Sequence, residues 1–121
     1  VTAIRELLPA GAFVEKTHFS CAAELECMRQ IDLLGRDQVV LVGTEAHVCV
    51  LQTALDLKMA GKEIYLVADG VSSRSPHDAE LALERMRAEG VRIVSREMVA
   101  FEWLHQAGTD RFREISRDFL R

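Results

Sequence analysis

The segment from Val39 to Gly61 most constrains what this chain can fold into, because a glycine there joins a short β-branched run to a helical stretch. Val39-Val40-Leu41-Val42 ends at Gly43. Such a run reads as a strand buried on both faces of a parallel sheet. Apolar residues then continue through Leu51, Ala54, Leu55, Leu57 and Met59 to Ala60-Gly61. The chain is therefore expected to turn helical around Val48 and to stop where a glycine suits the position after a helix. This puts Cys49 in the first turn of a helix, at the carboxyl end of a strand. Unpaired backbone N–H groups and the positive end of the helix dipole favour a thiolate there.

The rest of the chain repeats this alternation. Strands are expected at Phe13 to Lys16, Gln38 to Val42, Glu63 to Ala68 and Val91 to Ser95, with helical patterns between them. That order argues for βαβ units and an α/β fold with a parallel sheet. Cys21 to Leu34 carries a helical apolar stripe with Ser20 as a plausible N-cap and Gly35 as its stop, though Ala23 leaves the capping box incomplete. Ser75-Pro76 opens a helix over Asp78 to Glu89, and the tail reads as two amphipathic helices, Met98 to His105 and Asp110 to Leu120. There is no internal repeat or Pro/Gly-rich linker. One domain, or part of one, is expected.

Composition removes several classes of partner. Hydrophobic residues at 49% and charged residues at 28% describe a globular chain, and a net charge of −4 with acids and bases interleaved offers no basic stripe for nucleic acid or anionic lipid. No apolar run approaches the roughly 20 residues of a membrane span, and the amino end lacks the layout of a signal peptide. A reducing, cytoplasmic setting is the default. Cys21, Cys27 and Cys49 form neither a CxxC pair nor an even disulfide set, so no metal site and no cofactor is expected. The chain starts without Met, on a helix-like Ala3 to Leu8 that runs into Pro9, as if cut from something longer.

In open parallel sheets ligands bind beyond the carboxyl ends of the strands, so the residues that follow each strand carry the candidates. Cys49 is the nucleophile candidate, against the ordinary fate of a free cysteine as a small buried hydrophobe. Lys16, after the first expected strand, can bring an ammonium into the same cleft, or can be a solvated lysine. His47 is read first as pocket-lining or surface. Asp69 is read as structural, capping the next loop or pairing with Arg74. Cys21 and Cys27, six apart on one expected helix, fall on different faces and are read as packing residues. His18, His77 and His105 are isolated in sequence and read as surface groups.

These residues, namely Val39 to Gly61 with its Gly-x-Glu-x-x-Val-Cys elbow, Lys16 upstream, and Val67-Ala68-Asp69-Gly70-Val71-Ser72-Ser73-Arg74 downstream, resemble the isochorismatase-like cysteine hydrolases. Nicotinamidases and carbamoylsarcosine amidohydrolases belong to that group, and the pattern is most similar to its uncharacterised isochorismatase-domain members. The resemblance implies a three-layer α/β/α, Rossmann-like parallel sheet, the isochorismatase-like fold, with the N-terminal strands missing. It implies an Asp, a Lys and a Cys as catalytic groups, of which Lys16 and Cys49 match two. It further implies a cis peptide at Thr44-Glu45 and an oxyanion hole from the backbone amides of Glu45 and Cys49. Phe19, Glu45 and His47 are read as candidates to line the pocket. No Asp precedes Lys16; the first is Asp32. By comparison with the family's length, on the order of 60 residues are absent. Residues 1–121 thus read as the carboxyl-terminal two-thirds of such a domain.

The resulting expectation is a hydrolase acting on a small amide or related C–N substrate through a Cys49 thioester, with little turnover by this chain alone for want of the Asp. A small-molecule substrate and a homo-oligomer follow from the same resemblance. Two rivals stand beside it. One is a non-catalytic family member serving as a binding or oligomerisation domain. The other is a dinucleotide-binding domain, against which the lack of any GxGxxG after a strand counts.

Overall fold

A computed structural model describes residues 2–120. A short helix, α1 (Thr2–Arg5), leads into an irregular extended arm, and a 3₁₀ turn (Cys21–Ala23) precedes α2 (Leu25–Leu33). Then follow β1 (Gln38–Thr44), a wide turn (Ala46–Val50), α3 (Leu51–Met59), β2 (Glu63–Ser72), α4 (Pro76–Ala88), β3 (Arg92–Val94), α5 (Arg96–Leu104) and α6 (Asp110–Phe119). The strands make one parallel sheet in the order β1-β2-β3, so β2 is central. Among the described residues no helix is long and apolar enough to cross a membrane.

Alternation along the strands decides what each sheet face does. Val39 and Leu41 of β1, Ile64 and Leu66 of β2 and Ile93 of β3 point to one face, where Leu51, Ala54 and Leu57 of α3 and Ala82 and Met86 of α4 complete the core. Leu57, Ile64, Leu66 and Met86 are all less than 2% exposed. Each contributes about 1.5–3 kcal/mol by leaving water. The opposite face carries Val40 and Val42, and Trp103 of α5 shares a concavity with Val40. Helices therefore lie on both faces, as a three-layer fold requires.

Two expectations for the strands need correction. β1 is not buried on both faces: its burial alternates, and on the face it shares with α5 Val42 is still 62% exposed. Phe13 to Lys16 is not a strand, because no described strand lies alongside it to complete a hydrogen-bond ladder.

Local sequence explains the remaining boundaries. Ser75 Oγ accepts from Asp78 N (3.3 Å), and Pro76 occupies the first helical position, where no N–H is needed, so α4 starts two residues before Asp78. Ser95 Oγ accepts from Met98 N (3.2 Å) at the start of α5, and Thr109 Oγ1 from Phe112 N (3.0 Å) at the start of α6. Gly61 follows α3 at φ +92°, a backbone that residues with a Cβ rarely adopt.

β2 runs on to Ser72, beyond the expected end at Ala68, through a bulge. Leu41 pairs with Leu66, but Gly43 pairs with Val71, so the extra residues of β2 arch out between them. Gly70 sits in that arch, where an added Cβ would lie 2.9 Å from Val42 Cγ1. Asp69, also in the arch, accepts from Arg96 N (2.8 Å) and faces the Arg96 guanidinium (3.6 Å). Asp69 is thus structural as expected, but it ties down α5 and does not pair with Arg74.

Candidate active site

The site forms where β1 hands over to α3. Glu45 takes a left-handed conformation (φ 56°, ψ 66°), which turns the chain sharply at the strand end. Its carbonyl accepts from Val48 N (3.0 Å) and, across five residues, from Val50 N (3.4 Å). This makes the turn wider than an α-helix, a form often found at functional sites. Ala46 and Val50 are buried and anchor the turn in the core, while Cys49 between them is half-buried.

The elbow differs from expectation in two respects. Cys49 lies in the wide turn, ahead of α3, and not in the first turn of a regular helix. Among the described residues no peptide bond is cis, so Thr44-Glu45 is trans; positive φ at Glu45 makes the reversal instead.

Lys16 reaches this turn from the amino-terminal arm. Its Nζ is 3.0 Å from His18 O, 3.0 Å from Phe19 O and 3.6 Å from Cys49 Sγ. A carboxylate holds the arm in that curve. Glu24 Oε1 accepts from Thr17 N (2.8 Å) and His18 N (2.9 Å) and meets His18 Nδ1 at 2.8 Å. The His18 amide, then its ring, and then the Thr17 amide hold the Glu24 carboxyl at about 2, below its ordinary 4.5.

Sequence reasoning missed Glu24. The signal is an acid four residues after Ser20, one position beyond the capping-box place that Ala23 occupies.

Beside the thiol is a cavity of about 200 Å³ bounded by Lys16, Cys21, the end of β1 from Leu41 to Thr44, Cys49, Val50 and Thr53. None of these residues is a carboxylate. Thr53 Oγ1 accepts from Cys21 N (3.0 Å), which clamps the 3₁₀ turn against α3.

Cys21 and Cys27 do not face apart as one continuous helix would place them. Ser20 caps only the 3₁₀ turn, and Glu24 is extended before α2 begins. The break brings the two thiols together, and burial, followed by the Cys21 thiol, raises the Cys27 thiol above its ordinary 9.0.

The other pocket candidates gather on the far side of the turn. His47 Nδ1 lies 2.9 Å from Ser73 Oγ and 3.6 Å from Glu45 Oε2, and its Nε2 is 3.9 Å from Asp78. Arg74 Nε donates to Glu45 Oε2 (3.3 Å). Neither His47 nor Phe19 bounds the cavity beside Cys49, and Phe19 is 60% exposed. His77 and His105 are exposed. Among the described residues no cluster of His, Cys, Asp or Glu is arranged to hold a metal ion.

Parallel sheet, reversed elbow and thiol facing an ammonium define an α/β protein with a cysteine at a strand-to-helix handover. The Isochorismatase domain matches residues 3–98, and the chain belongs to that family. The secreted isochorismatase effector Isc1 of Phytophthora sojae is 39% identical over 104 residues, covering 85% of this chain and 50% of its own length. Among solved structures, the MAR1 ribonuclease from Caenorhabditis elegans superposes with a TM-score of 0.76 at 34% identity, covering 88% of this chain and 54% of that one. The pyrazinamidase/nicotinamidase of Streptococcus mutans does so with a TM-score of 0.61 at 30% identity, covering 65% of this chain and 44% of that one. The chain spans between 38% and 52% of the length of curated relatives such as Isc1.

Proposed function

We propose that this chain carries the thiol and ammonium portion of a cysteine hydrolase site for a small amide or related C–N substrate. The supporting observation is the 3.6 Å approach of Lys16 Nζ to Cys49 Sγ, made by residues 33 apart in sequence. Cys49 attacks the carbonyl carbon, and a thioester forms as the amine leaves. The amides of Glu45 and Cys49 hold the oxyanion, and Lys16 stabilises the negative charge beside it. Water then hydrolyses the thioester. The proton of the thiol goes to a carboxylate and from it to the leaving amine. That carboxylate is the family's Asp, which has no counterpart in this sequence before Lys16. Residues 1–121 are on this reading the carboxyl-terminal two-thirds of the hydrolase domain, and the chain alone turns over little or no substrate.

Kinship with a nicotinamidase supports an amide substrate. The nematode relative is called a ribonuclease. An RNA substrate suits this chain less well, because a net charge of −4 provides no phosphate track. A cytoplasmic setting accords with three free thiols. The exposed Trp103, Phe101 and Phe119 favour self-association, which sedimentation at several concentrations measures directly. In a chain extended by a relative's amino-terminal strands, Cys49→Ala is expected to abolish turnover of a panel of small amides. Retained turnover in that variant overturns the proposal, and no turnover with Cys49 intact leaves a binding or oligomerisation domain.

A further inference from the structure

Thiol reactivity at Cys49 has a second consequence, because Cys49 is not the only cysteine at its cavity. Cys21 bounds the same space and sits on the same stretch of chain as Lys16, so one arm delivers both a cation and a second sulfur to the elbow. The hydrogen bond from Cys21 N to Thr53 Oγ1 (3.0 Å) fixes its backbone against α3, about one turn of helix beyond Cys49. Two half-buried cysteines thus line one cavity of about 200 Å³, which has room for a peroxide.

We infer that Cys49 and Cys21 form a peroxide-modified pair, in which Cys49 is oxidised first and Cys21 closes a disulfide onto it. The Cys49 sulfur, beside the Lys16 ammonium, gives up its proton and attacks one oxygen of hydrogen peroxide. The O–O bond breaks, hydroxide leaves, and a sulfenic acid remains. The Cys21 sulfur then attacks the Cys49 sulfur. The S–S bond forms, the S–O bond breaks, and the oxygen departs as water with the thiol proton. Two thiols supply two electrons, and one peroxide becomes two waters.

Cys27 is the bystander. Burial and the neighbouring Cys21 thiol both keep it protonated, which slows its own reaction with peroxide. The disulfide protects Cys49 from irreversible oxidation, and a dithiol restores it. The inference rests on the proposed reactivity of Cys49 but requires no particular substrate.

The test is peroxide treatment of the full chain, blocking of remaining thiols with N-ethylmaleimide, and unreduced peptide mapping by mass spectrometry. The expected result is an intramolecular Cys21–Cys49 cross-link with the label on Cys27, reversed by dithiothreitol. Cys27→Ser should form the same cross-link. Cys21→Ser should instead accumulate Cys49 sulfinic acid. A Cys21–Cys27 bond, cross-links between chains only, or Cys21 fully labelled beside an over-oxidised Cys49 each overturn the inference. Iodoacetamide labelling of the unoxidised chain separates the two claims. Fast labelling of Cys49 without a cross-link defeats the pair alone; slow labelling defeats the nucleophile reading as well.

Discussion

The two edges of β1 are built in opposite ways. On one, six residues pair with β2, and the strand leans on a core of fully buried Leu, Ile and Met. On the other, no described strand is paired; the arm reaches the elbow through Lys16 and α3 through a threonine-clamped turn, and one carboxylate holds its curve. The thiol stands at the boundary. Stability is thus concentrated on one side of the strand and candidate chemistry on the other, as expected when functional segments come from the less stable parts of a fold.

The largest effect should come from the paired side. Leu66→Ala removes a fully buried side chain from the central strand, and urea denaturation is expected to show a loss of about 2–5 kcal/mol. Gly70→Ala places a Cβ 2.9 Å from Val42 Cγ1 in the bulge, with an expected loss of about 1–3 kcal/mol in the same assay. A loss as large from any single change in the arm would erase the distinction between the two edges.

Lys16→Met should leave the urea midpoint nearly unchanged while iodoacetamide labelling of Cys49 slows about tenfold, as read by peptide mass spectrometry. Unchanged labelling would sever the arm from the chemistry. The smallest effect should be on the arm's attachment. Glu24 is held at about 2 against an ordinary 4.5, so folding favours its ionised form. Its contribution is fully present above about 4.5 and fades as pH falls toward 2. Protection of the Thr17 and His18 amides, taken relative to the unstructured exchange rate at each pH, should fall on acidification across that window, and in Glu24→Gln it should be low throughout.

What was legible in the sequence follows the same division. β1, β2, β3 and α4 were found because periodicity and Gly, Ser and Pro punctuation record local and core preferences. The bulge in β2 was not, because the register of Gly43 against Val71 depends on a partner strand. The juxtaposition of Cys21 and Cys27 was hidden by a helical pattern that breaks at Glu24, where the side chain serves the arm's amides instead. Cys49 could be singled out from its place after a strand. Lys16 could not be separated from a solvated lysine by spacing alone; the family pattern selected it, and the structure puts its Nζ 3.6 Å from Cys49 Sγ.

The valence of that contact has a consequence for how a substrate can be received. An ammonium has three protons to donate, and Lys16 directs them at His18 O, Phe19 O and Cys49 Sγ. None is spare. At rest, Lys16 has no hydrogen bond left to offer a substrate oxygen. An incoming carbonyl or leaving group can engage it only by displacing the sulfur or one of the arm's carbonyls. Binding and loosening of the arm are then a single event.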